Sequence, residues 1–133
     1  MTLPYIRLEP GQPVKLDNFD PGDTGDWNKA AAQEALKARQ NRMRELQQVL
    51  YAEHKHALLI VLQAMDAGGK DGTIRKVMHG INPQGVRVTS FKQPTPEELD
   101  HDFLWRIHQH VPPLGMIGIF NRSHYEDVLI VRV

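Results

Sequence analysis

Residues 58–73 read LLIVLQAMDAGGKDGT, and no single regular element accommodates all of it. Leu58, Leu59, Ile60, Val61 and Leu62 form an unbroken apolar run of strand length, which predicts a strand covered on both faces. Gly68, Gly69 and Gly72 then let the backbone turn with positive φ and approach a ligand closely, and the residues from Ile74 to Met78 predict a helix start. A strand, a glycine-bearing loop and a helix N-terminus bring main-chain N–H groups and the positive end of a helix dipole to one point, where Lys70 adds a full charge. That arrangement binds phosphate.

The stretch departs from the usual P-loop pattern G-x-x-x-x-G-K-[ST] at two places, with Ala64 for the first glycine and Asp71 for the Ser/Thr. The hydroxyl that normally holds Mg²⁺ is therefore missing, while Asp66 and Asp71 put two carboxylates into the loop. A carboxylate facing phosphates repels them, so an inward-turned Asp66 requires a cation or a proton-accepting task. The bland alternative is a tight turn that Asp66 caps.

The rest of the chain is read around this loop. Its 133 residues suffice for one domain with a core. Lysines and arginines equal aspartates and glutamates at 16 each, so no global field points to nucleic acid or to a membrane surface. Charge is nonetheless concentrated. Residues 54–92 hold six bases (Lys55, Lys70, Arg75, Lys76, Arg87, Lys92) against Asp66 and Asp71, a local excess of four, whereas the first 28 residues hold five acids against two bases. A neutral chain with a basic middle attracts a polyanion locally. The absence of cysteine excludes disulfides and thiolate metal sites. No apolar run reaches membrane-spanning length and the first residues, MTLPYIRLEP, lack a signal-peptide layout, so a cytoplasmic protein is expected.

Residues 1–27, punctuated by Pro4, Pro13 and Pro21 and by Gly11, Gly22 and Gly25, predict an extended arm. Residues 28–55 predict an amphipathic helix whose stripe of Leu36, Met43, Leu46, Val49 and Leu50 packs on a sheet. Residues 56–133 predict the α/β core. Within it, Asn82-Pro83-Gln84-Gly85 is a turn, and Val86 to Phe91 alternates as a second strand returning beside the first through a helix, a right-handed parallel unit. Thr95-Pro96-Glu97-Glu98 is a capping box opening a helix that runs to about His110, where Pro112-Pro113 stops it. Leu114 to Phe120 is a third strand, with glycines that mark close approach by a neighbour. This alternation gives a layered α/β fold with a parallel sheet flanked by helices, whose ligands sit at the strands' carboxyl ends. The third strand ends in Asn121-Arg122-Ser123-His124-Tyr125-Glu126-Asp127. There a P-loop site normally carries a metal-handling acid; Asn121 takes that place, with Glu126 and Asp127 displaced downstream.

With these segments in hand the chain resembles the family-2 polyphosphate kinases, P-loop enzymes that move phosphoryl groups between inorganic polyphosphate and nucleotides. The likeness is carried by QAMDAGGKDGT at 63–73, NPQGV at 82–86, HDFLWR at 101–106 and FNRSHYED at 120–127. Many members have Asp-Arg-Ser after the third strand. Asn121-Arg122-Ser123 followed by Glu126-Asp127 is similar to the subgroup acting on both nucleoside mono- and diphosphates, with AMP and ADP as acceptors. The resemblance implies that Lys70 and the loop from Ala67 through Gly68, Gly69, Asp71, Gly72 and Thr73 hold polyphosphate, with Arg106 as a further phosphate contact. It implies that Asp66 positions Mg²⁺ or the attacking phosphate, that Arg122 neutralises charge on the transferred group, and that Asp127 joins the metal network. Asn121, Arg122 and Glu126 fall on the nucleotide side. The four histidines His101, His108, His110 and His124 fit no recurring ligand set. The resemblance further implies dimers or tetramers, and members continue past the third strand into further strands and a basic helical lid, so an N-terminal part of the P-loop fold is expected here. Three functions stay open at this point: transfer from polyphosphate to AMP or ADP, an ATP-dependent nucleoside monophosphate kinase, and a non-catalytic phosphate-binding fragment.

Overall fold

The computed structural model describes residues 9–11, 13–20 and 22–126, which fall into two units, 1–38 and 39–133. In the first, Asp20 and Asp23 each accept a hydrogen bond from the amide two residues on, at Gly22 and Gly25 (both 2.8 Å), the local turn chemistry that aspartate favours. Asn28 starts helix α1 (Lys29–Glu53), its Oδ1 accepting from the Ala31 N–H at 2.9 Å. The arm residues Pro4, Tyr5, Ile6 and Leu8 lie outside the described residues.

The buried face of α1 is not the apolar stripe. Leu46 and Val49 are 50% and 59% exposed, whereas the buried residues are Gln40 and Gln47, two helical turns apart on one face. Each glutamine meets backbone that has no regular partner. The Gln40 Nε2 donates to the Lys76 carbonyl (2.6 Å), in the last turn of α2 (Lys70–Val77), where carbonyls lack intrahelical donors. Gln47 pairs doubly with Asn82, donating to its carbonyl at 2.8 Å and accepting from its amide at 3.1 Å. Gly85 follows from this: a Cβ there would stand 2.3 Å from the Gln47 Nε2.

Strands β1 (Leu58–Leu62), β2 (Val86–Ser90) and β3 (Ile117–Asn121) form a parallel sheet in the order β1-β3-β2. The second strand therefore does not lie beside the first, because β3 occupies the place between them. β3 is buried on both faces from Ile117 to Phe120, as its apolar sequence requires. β1 differs from expectation. Leu58, Leu59 and Val61 are 48%, 40% and 42% exposed, since among the described residues β1 has β3 as its one neighbour. Gly118 gives the close approach anticipated for this strand, for a Cβ there would lie 2.9 Å from the Pro112 ring.

Phe120 reaches from β3 into a small core with Phe91 and Ile107, the two rings edge-to-face at 4.9 Å. The helix expected from Thr95 to His110 is broken into α3 (Pro96–Leu99) and α4 (Trp105–His108). The capping box at Thr95 and Glu98 forms, but Asp102 accepts the Leu104 amide at 2.9 Å and so substitutes a side-chain turn for helical continuation. The three strands end on one rung, Leu62 beside Asn121 beside Ser90, and the loop and the β3 exit meet above it.

Candidate active site

From β1 the chain turns through Ala67 (φ +63°) and Gly69 (φ +82°) into α2. Gly68 is required by space: its amide donates to the Met65 carbonyl at 3.0 Å, and an added Cβ would lie 2.9 Å from both that oxygen and the Ala64 methyl. Gly69 is required by conformation, since space beside it is open but left-handed backbone disfavours a side chain. The first helical bond of α2 runs from the Thr73 amide to the Gly69 carbonyl at 2.9 Å, and no side chain caps the helix. The amides of Lys70, Asp71 and Gly72 thus have no intrahelical acceptor, the arrangement by which helix N-termini can bind anions.

Lys70 folds back over the loop, its ammonium donating to the carbonyls of Ala64 and Met65, the latter at 2.9 Å. An ammonium has three donors, so one is left for a ligand oxygen. Opposite stands Arg122, the first residue beyond β3, with left-handed backbone (φ +69°) and its amide tied to the Leu62 carbonyl at 2.9 Å. Its Nη2 donates to the Asp66 carboxylate and its Nη1 to Glu126 at 3.1 Å, and Glu126 also accepts from the Gln63 side chain at 2.6 Å. Asn121 bridges strand and loop differently, its Nδ2 donating to Asp71 at 2.6 Å.

These groups surround a cleft of about 500 Å³ between the loop residues 66–72 and the ends of β2 and β3. A second cavity of about 410 Å³ adjoins it, sharing Phe91, Lys92, Gln93 and Arg122, with Leu99 and Ile107 as apolar wall and Glu126 at its edge. The sequence expectations separate here. Asp66, Ala67, Gly68, Gly69, Lys70, Asp71, Gly72, Asn121 and Arg122 line one cleft. Thr73 instead lines a smaller hollow behind the loop with Val61 and Leu62. Arg106 lines the second cavity rather than the cleft at the loop: it is buried, donates to the Lys92 carbonyl at 2.8 Å, lies over the Phe91 ring and stands 3.3 Å from Glu98. The Glu98 carboxyl is held below its ordinary pKa chiefly by the Thr95 amide it accepts from, with Arg106 adding to the effect. Asp127 lies outside the described residues. Lys92, named from sequence only within the basic stretch, and Gln93, not named at all, line both cavities, and their place at the carboxyl end of a parallel strand is the signal that marks such positions.

Among the described residues no three His, Asp or Glu side chains gather into a metal cage, and no helix is long and apolar enough to cross a membrane. The two acids that line the cleft, Asp66 and Asp71, are of the kind that could hold Mg²⁺, which keeps waters and binds through one or two carboxylates.

Residues 26–133 match the family model described as polyphosphate kinase 2. The chain is 58% identical over 129 residues to an AMP/ADP-polyphosphate phosphotransferase of Meiothermus ruber, covering 96% of this chain and 48% of that protein. It is 53% identical over 121 residues to an ADP-polyphosphate phosphotransferase of Rhodopseudomonas palustris, covering 91% of this chain and 40% of that one. The fold is similar to the crystal structure of polyphosphate kinase 2 from Arthrobacter aurescens TC1, with a TM-score of 0.85 at 46% identity, over 95% of this chain and 46% of that one. The chain thus spans less than half the length of each of these relatives.

Proposed function

Because the chain belongs to the polyphosphate kinase 2 family, we propose that it supplies the phosphate-binding and phosphoryl-transfer centre of an enzyme that moves a terminal phosphoryl group from inorganic polyphosphate to AMP or ADP. The observation that carries this is the single cleft in which Lys70, the free amides of α2 and the Asp66–Arg122 pair face one another.

Phosphoryl transfer gives a protein little covalent work, so placing two anions and cancelling their charge is nearly the whole task. In this reading polyphosphate lies on the amides from Gly69 to Gly72, with the remaining Lys70 donor on one of its oxygens. The acceptor nucleotide enters by the second cavity, whose apolar wall suits a base and whose shared residue Arg122 puts a guanidinium between the two phosphate groups. An oxygen of the acceptor phosphate forms the new bond to phosphorus as the bridging oxygen of polyphosphate leaves, one phosphate shorter. Asp66 and Glu126 hold the Arg122 guanidinium in place while its other donors face the transferred group. A carboxylate of the loop would hold Mg²⁺ in this site, where the ion would neutralise phosphate charge. No nucleophilic side chain is needed. An oligomer belongs to the same reading.

The test measures ATP formed from ADP, and ADP formed from AMP, with polyphosphate as donor, beside a donor exchange in which ATP replaces polyphosphate. Polyphosphate-dependent product that disappears in Lys70→Ala supports the reading; equal product from both proteins, or product with ATP alone as donor to AMP, overturns it.

A further inference from the structure

The P-loop pattern places a hydroxyl after the lysine and an acid at the end of the facing strand, and the two together hold the cation. Here both positions are changed and both changes meet in one contact. Asp71 follows Lys70, Asn121 ends β3, and the Asn121 Nδ2 donates to the Asp71 Oδ1 at 2.6 Å. We propose that the negative charge has changed sides of this contact, so that Asp71, held by Asn121, is the carboxylate that brings a divalent cation to the phosphates, with Asn121 as its positioning residue.

Three observations converge on Asp71. Its carboxylate is not used as a helix cap, for α2 has no side-chain capping bond although Asp71 lies in its first turn. The other loop acid, Asp66, has its charge paired with the Arg122 guanidinium, whereas Asp71 meets only the neutral amide of Asn121 and its second oxygen has no hydrogen-bond partner among the described residues. The Asn121 amide has its orientation fixed, because a carboxylate only accepts; its NH₂ must face Asp71, which turns the Oδ1 of Asn121 away and leaves it as a second neutral oxygen. Both residues line the cleft that holds Lys70 and Arg122, at the N-terminal end of α2. The proposal rests on the phosphotransferase reading, since polyphosphate oxygens complete the ion's shell.

The test titrates Mn²⁺, followed by its electron spin resonance, into the protein with and without tripolyphosphate, while calorimetry in chelator follows tripolyphosphate alone. Asp71→Asn is expected to weaken Mn²⁺ binding in the presence of tripolyphosphate by at least about 10- to 100-fold, the range already seen when only a ligand's outer support is lost, with metal-free tripolyphosphate binding retained. The exchange variant Asp71→Asn with Asn121→Asp rebuilds the contact with its charge reversed and is expected to return Mn²⁺ affinity to within about threefold of the starting protein, a coupling that separate sites would not show. Asn121→Asp alone sets two carboxylates against each other, and its thermal midpoint is expected to rise with Mn²⁺ more than that of the unaltered chain. Mn²⁺ affinity unchanged in Asp71→Asn, or as weak in the exchange variant as in Asp71→Asn, overturns the proposal and leaves the phosphotransferase reading standing. Failure of the unaltered chain to bind tripolyphosphate overturns both.

Discussion

Asp66 in the loop after β1 and Arg122 at the exit of β3 form an ion pair across the cleft, 56 positions apart in sequence. The Asp66 side chain is 87% exposed, so the pair adds little to stability, at most about 1 kcal/mol. Its value is positional. Asp66→Asn is expected to lower kcat by about 100- to 1000-fold, the scale on which a misplaced charge-stabilising donor is felt. Denaturant midpoints should move very little, and a large loss of stability with preserved turnover would assign the pair to the fold instead.

Lys70 is expected to matter through its charge and its reach together. Lys70→Ala should remove detectable polyphosphate binding by calorimetry and reduce kcat/KM by about 1000-fold or more, because a compact cation and the clamp on Ala64 and Met65 vanish at once. Lys37→Ala, on the exposed side of α1, serves as the comparison and should leave both quantities unaltered.

The two loop glycines separate by mechanism. Gly68→Ala forces a methyl to 2.9 Å from a backbone oxygen and is expected to cost about 1–3 kcal/mol. Gly69→Ala meets no atom but keeps a residue at φ +82°, at a cost of about 1–2 kcal/mol. Urea unfolding measures both. Of the two, Gly68→Ala should also distort the loop enough to reduce phosphate affinity more than stability alone accounts for.

Gln47→Leu keeps the volume at a buried site but strips both bonds from Asn82. A loss of about 2–4 kcal/mol is expected by equilibrium unfolding, since a backbone amide and a carbonyl are left unsatisfied. A gain in stability would mean that apolar burial outweighs those two bonds at this position.

Glu98 has a folded-state pKa depressed below 4.5, mainly by the Thr95 amide. Its contribution is therefore present above that value and is lost as pH falls through the lower folded pKa. Unfolding midpoints compared at about pH 6 and about pH 3 should converge in Glu98→Gln relative to the unaltered chain. An unchanged difference between the two pH values removes Glu98 as a source of acid sensitivity.

The loop and the β3 exit were legible because their chemistry is written in consecutive residues: apolar run, glycines, lysine, then a polar cluster after a second apolar run. The turn at Asn82 and the capping box at Thr95 were legible for the same reason, and both form. Hydrophobic periodicity did not reveal the inner face of α1, because the residues buried there are Gln40 and Gln47, whose task is to satisfy backbone rather than to exclude water. Nor does any local pattern reveal that β3 separates β1 from β2; strand order depends on contacts between distant segments. The break at Asp102 depends on one side chain outcompeting helical continuation, a contest among near-equal energies. The motif residue Arg106 lies at the wall of the second cavity with its guanidinium held by Lys92, Glu98 and Phe91, contacts that no local pattern announces.

Because β3 pairs in step with both neighbours, Val61, Phe120 and Thr89 sit on one rung and Leu62, Asn121 and Ser90 on the next. A one-residue insertion or deletion inside this strand would reverse the facing of every side chain after it, ejecting Phe120 from its aromatic contact and carrying Asn121 and Arg122 away from the loop together. Length variation among natural or designed variants should consequently accumulate between Gln93 and Thr95 or near Val111, and be absent from the five positions of β3.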